Sequence, residues 1–133
     1  MHRIIDILPT QVPAGAAGQY FKAERYFQSR LDEISRKFAR VLIRLNCYYN
    51  LQLNTDGETW ILNESPEDLA RRFEESVASH SPLSILIGSD AALITFSGDD
   101  HYMTLYIPDE DLLDLVRQCA QAEGLFVWGP KQP

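Results

Sequence analysis

The chain of 133 residues is poor in the residues that usually carry chemistry: it has two cysteines, three histidines and seven glycines. Cys47 and Cys119 are too few for a disulfide framework. Both stand in apolar helical contexts with no secretion signal before them, so free core thiols are expected rather than a bridge or a nucleophile. His2, His80 and His101 have no spacing that resembles a zinc site. Gly15 and Gly18 precede a helix but match neither the P-loop nor the dinucleotide fingerprint, which leaves a flexible loop and no expected cofactor. Long apolar runs are missing too. Nothing approaches the ~20 residues of a membrane-spanning helix, and Ile4–Leu8, interrupted by Asp6, is too short for a signal peptide, so the expected location is cytoplasmic.

Basic residues are scarce after residue 47. Residues 1–47 hold eight Lys/Arg against four acids, a balance of +4, and the rest holds four against fifteen, a balance of −11, which together give the net charge of −7. What is present otherwise is ordinary: 45% hydrophobic and 23% charged residues are globular values, and the length suits one domain over 1–133, with an extended segment at 1–18 and a tail at 130–133.

The clearest element lies within that basic stretch. Phe27, Leu31, Ile34, Phe38, Val41 and Leu45 follow one another at steps of four and three, which puts them on one stripe of a helix. Ser29 followed by Asp32 and Glu33 reads as an N-cap with acids in a first turn, so the stretch is expected to break near Gln28–Arg30. After it the period changes to two. Tyr49, Leu51 and Leu53 alternate with polar residues, Asn54-Thr55-Asp56-Gly57 makes a turn, and Glu58–Asn63 returns as a second strand. Ser65-Pro66-Glu67-Asp68 opens a helix to about Ser79. Leu83–Ile87, Ala92–Ser97 and His101–Ile107 read as strands joined at Gly88-Ser89-Asp90 and Gly98-Asp99-Asp100, with Met103, Leu105 and Ile107 toward the core. Pro108-Asp109-Glu110-Asp111 starts a last helix that Gly124 closes, and Leu125–Trp128 is a final strand. Residues 3–8 add a possible short N-terminal strand.

The expected fold is therefore α+β in two layers, a mainly antiparallel sheet of five or six strands with helices on one face, in the order α-β-β-α-β-β-β-α-β.

Three groups of residues compete for a function. Asp99, Asp100 and His101 bring two carboxylates and an imidazole together, enough for acid–base work, although Gly-Asp-Asp is ordinary turn chemistry and His80 suits a helix C-terminus. Arg36, Lys37, Arg40 and Arg44 form a basic helix face. It could meet phosphates, but an acidic chain supplies its own counter-charges, so an internally paired face is expected and nucleic acid is not. Acids interleaved with Trp60, Tyr102 and Tyr106 suit docking onto a basic protein, with aromatics as anchors and acids for steering. The leading expectation is a non-catalytic cytoplasmic protein-binding module. It would act as an inhibitor or immunity-type factor of the kind that neutralises a bacterial toxin, an analogy of size and charge alone, and could form a homodimer. The alternatives are an enzyme with a site near Asp99, Asp100 and His101, or nucleic-acid binding through the basic helix. No metal, cofactor or membrane is expected.

Overall fold

The first strand, β1 (His2–Asp6), lies inside the sheet. In the computed structural model, which describes residues 1–89 and 92–130, β1 pairs antiparallel with β6 (Tyr102–Tyr106) on one side and with β7 (Phe126–Trp128) on the other. With β2 (Leu51–Asn54), β3 (Trp60–Leu62), β4 (Leu83–Ile87) and β5 (Ala92–Phe96) it completes a seven-stranded antiparallel sheet in the order β3-β2-β4-β5-β6-β1-β7. The expected count of five or six strands was short because Asp6 breaks the apolar pattern of β1. The α+β class holds.

Four helices accompany the sheet: α1 (Ala17–Gln28), α2 (Leu31–Leu45), α3 (Pro66–Ser79) and α4 (Glu110–Gln121). The break between α1 and α2 falls where the sequence placed it, for a different reason. Ser29 does not cap α2. Its hydroxyl donates to the Tyr26 carbonyl, and the backbone amides of Ser29 and Arg30 close the last turn of α1 on Arg25 and Phe27. The starts of α3 and α4 are capped as written in the sequence, by the Ser65 hydroxyl on the Asp68 amide and the Asp109 carboxylate on the Leu112 amide.

Strand alternation decides where the core sits. Leu51 and Leu53, Leu83, Ile85 and Ile87, Ala92, Ile94 and Phe96, Met103 and Leu105 are all buried on one face. Against them pack Phe38, Val41, Leu42 and Leu45 of α2, Leu69 and Phe73 of α3, and Leu112 and Val116 of α4. The Phe96 ring is the meeting point: Phe38 lies edge-on at 5.5 Å and Phe73 stacks at 5.4 Å between ring centroids. Each such ring contributes about 2–3 kcal/mol by leaving water. Helix α1 departs from the expected packing of all helices on one face: it has no fully buried residue and only half-buried Phe27 against the core, while Tyr20 and Phe21 lie over the other face of β1 and β6.

Local expectations fail at three places. Tyr49 is not in a strand; its amide bonds to the Leu45 carbonyl in the turn that ends α2. Ile107 leaves the core pattern, 75% exposed at φ +55°, because the chain turns there toward α4. Cys47, expected as a core thiol, is exposed, and only Cys119 is buried. The connection Gly88-Ser89-Asp90 reaches outside the described residues.

Candidate functional site

Helices α2, α3 and α4 leave the opposite face of the sheet open, and the strand register identifies its residues, because cross-strand partners share a face. Gln52, Leu86, Leu93 and Tyr106 form one row across β2, β4, β5 and β6; Ser84, Thr95 and Thr104 form the next. Trp60 and Leu62 extend the rows at the β3 edge, and His2, Ile4 and Asp6 at the other side. Asp6 is the only carboxylate, lysine or arginine among these positions, and it is buried. Trp60, Leu62 and Tyr106 are 42%, 58% and 39% exposed, so the face carries large apolar groups in contact with water.

One end of that face is covered. The segment after β1 holds Pro9 and Pro13 and makes only a short 3-10 turn, Ala14–Ala16, before α1. It arches over β1, β6 and β7 and leaves a half-open cavity of about 450 Å³ lined by Ile4, Leu8, Val12, Ala17, Phe21, Tyr102 and Trp128, with Asp6, Tyr20 and His101 at its polar end.

A chain of hydrogen bonds runs through this polar end. Asp6 Oδ1 accepts from the Ile7 amide at 2.7 Å and lies 3.0 Å from His101 Nδ1, while Asp6 Oδ2 accepts from Trp128 Nε1 at 3.3 Å. His101 Nε2 is 3.3 Å from the Tyr20 hydroxyl, which donates to Glu24 at 2.8 Å. That hydroxyl has a single proton, committed to Glu24, so Nε2 must itself donate. With Nδ1 donating to a carboxylate as well, the array is complete with an imidazolium. Burial opposes this charge, but the Asp6 hydrogen bond and the charges of Asp6 and Glu24 outweigh it and hold the His101 pKa above its ordinary value. Burial and then Glu24 push the Tyr20 phenol far up, and burial and then Asp100 raise Tyr102, so neither phenol is a base near neutral pH.

The residues singled out by sequence separate. Asp99 and Asp100 do behave as turn residues: Asp99 pairs with exposed His80 at 2.6 Å, and Asp100 accepts from Ser97 at 3.0 Å. His101, expected to begin the next strand beside them, is 2% exposed and joined to Asp6 and Tyr20. The signal for this pairing was Asp6, a carboxylate within an otherwise apolar strand; a partner 95 positions away was not visible in sequence. Arg40 and Arg44 both bond Glu123, and Arg36 lies 3.5 Å from Glu74 and 3.9 Å from Asp32, so the basic helix face is largely paired internally. Lys37 lies half-buried on the same helix. Trp60 and Tyr106 share the open face, whereas Tyr102 lines the cavity. The expected interleaving of aromatics with acids does not occur there. Glu67, Asp68, Glu74 and Glu75 belong to α3, and Glu110, Asp111 and Asp114 to α4, two helices packed on the other face.

Among the described residues no group of three or more His, Cys, Asp or Glu is disposed to hold a metal ion, and no helix is long and apolar enough to cross a membrane. Comparison with known protein families, curated proteins and solved structures gives no match.

Proposed function

We propose that this chain is a non-catalytic binding module that docks another protein on the open face of its sheet. The observation that carries this reading is an exposed face without surface charge on a chain of net charge −7, edged by Trp60, Leu62 and Tyr106. Loss of charge with retention of aromatics is the composition of an interface core. Water-exposed sheet faces that bind nothing are ordinarily dotted with Lys and Glu.

Charge also suggests the partner. The β2–β3 turn carries Asp56 and Glu58, and the β5–β6 turn carries Asp99 and Asp100; the register sets both turns at the same end of the sheet. An uncharged face with aromatic and leucine side chains, rimmed at one end by acids, suits a protein with an apolar patch beside basic groups, and in the cytoplasm an inhibitor or immunity-type factor would use such a face. A basic-helix site for nucleic acid is disfavoured by the engagement of Arg36, Arg40 and Arg44 with Glu74 and Glu123.

The test places a charge at the centre of the face. Tagged wild-type protein should retain a basic protein from native cell extract at low and moderate salt. Leu93→Lys should lose it, with a weakening of at least about tenfold, while Arg117→Glu on α4 should not. Recovery of no partner by the wild type at any salt concentration, or equal recovery by Leu93→Lys, would sink the proposal. If light scattering shows a dimer that Leu93→Lys converts to monomer, the occupant of the face is a second copy instead.

A further inference from the structure

The cavity under the N-terminal segment is a site separate from the open face, and we propose that it binds a small organic amine with an apolar body. Four observations converge on it. Its volume, about 450 Å³, falls in the range of small-molecule sites. Its walls are mostly apolar, with Thr10 and Gln11 among them, and Asp6 and His101 converge at one end, both 2% exposed. The polar end is anionic on balance: two carboxylates, Asp6 and Glu24, flank one imidazolium, in a chain already at −7. A carboxylate or phosphate ligand would be repelled there, and a cation attracted.

The remaining observation is the unfilled hydrogen-bonding capacity of Asp6. Its Oδ1 accepts from both the Ile7 amide and His101, but among the described residues Oδ2 accepts only from Trp128, at a long 3.3 Å. A carboxylate oxygen has two acceptor positions, so Oδ2 can take one further donor from the cavity. An ammonium group supplies it. The aromatic lining of Tyr20, Phe21, Tyr102 and Trp128 favours the same ligand, since ring faces attract cations and stack on an apolar body. A bound molecule would also add contacts between the segment 8–21 and the sheet, beyond the Tyr20–His101 hydrogen bond that α1 already makes.

Three probes of equal body and different charge test this on the full chain: phenethylamine, 2-phenylethanol and phenylacetate. The indole N–H resonance of Trp128 and the ring signals of His101 report occupancy by NMR. Phenethylamine should move them saturably, 2-phenylethanol should bind about tenfold more weakly, and phenylacetate should give no saturable shift. Ala17→Phe, which fills the cavity from an exposed position on α1, should abolish the phenethylamine response while the rest of the spectrum stays unchanged. Asp6→Asn should remove the preference of amine over alcohol, and Leu93→Lys, on the open face, should leave amine binding intact. Phenylacetate binding as tightly as phenethylamine, no saturable shift by any probe at millimolar concentration, or an unchanged response in Ala17→Phe would each overturn the proposal, whatever becomes of the protein-docking reading.

Discussion

His101 and Asp6 form a buried pair, each 2% exposed, in which every side-chain nitrogen and oxygen has at least one hydrogen-bond partner. Removing both charges from water costs several kcal/mol, which the Asp6–His101 hydrogen bond and the tryptophan and amide donors offset. The raised pKa of His101 turns this into a pH dependence. The folded state binds the imidazole proton more tightly than the unfolded chain does. The resulting stability is therefore complete below the ordinary histidine value of about 6.5 and declines as pH rises through the raised folded-state value. The groups facing the ring are Asp6 from β1, Tyr20 and Glu24 from α1 and Tyr102 from β6. Urea denaturation at pH 6 and pH 8.5 should show wild-type stability falling across that interval, with His101→Asn less stable at pH 6 and flat between the two. A wild type as stable at the higher pH would contradict the assignment.

Among the elements, the β5–β6 turn leaves little room for change. Gly98 sits at φ +87°, and a Cβ there would come within 2.6 Å of the Ser76 carbonyl and 2.7 Å of the Ser81 carbonyl, where the Ser76 hydroxyl bonds Ser81. Gly124, past the end of α4, sits at φ +73° with open space around it. Equilibrium unfolding of two alanine variants separates strain from collision: Gly124→Ala should cost about 1 kcal/mol and Gly98→Ala more than about 3 kcal/mol. Equal losses would show that the backbone of α3 yields. The turn matters because its far end delivers His101 into the cluster, while His80, at φ +54° past the end of α3, reaches back to Asp99.

At the scale of the whole molecule, charge is distributed by layer. The helical layer carries most of both signs and neutralises much of it internally, α2 against α3 through Arg36 and Glu74, and α2 against the end of α4 through Arg40, Arg44 and Glu123. Burial works to raise the Glu123 pKa, but hydrogen bonds from Arg40 and Arg44 bring it below its ordinary value. Both arginines are more than a third exposed, so solvent screens the pair. Glu123→Gln should cost only about 1 kcal/mol near neutral pH, and the difference from wild type should vanish as pH falls through the lowered carboxylate value. A loss of several kcal/mol would make this link a buried one. The sheet layer keeps its outer face free of surface charge, and the two proposed sites share it: protein docking on its open part, an amine at its covered end.

The amino-acid sequence by itself determined the elements. A stripe from Phe27 to Leu45, alternation at Leu83–Ile87, and capping residues at Ser65 and Asp109 are local signals, and local hydrogen bonding and burial periodicity enforce them wherever the elements pack. It also showed that the chain's acids would pair its basic helix, because an acidic body leaves arginines many partners. Only the tertiary structure decided that β1 enters between β6 and β7, which face of the sheet stays open, and that His101 turns inward to Asp6. Those outcomes depend on pairings between residues about a hundred positions apart, whose cost in chain entropy is offset only once the intervening strands and helices have assembled. No local pattern encodes that assembly.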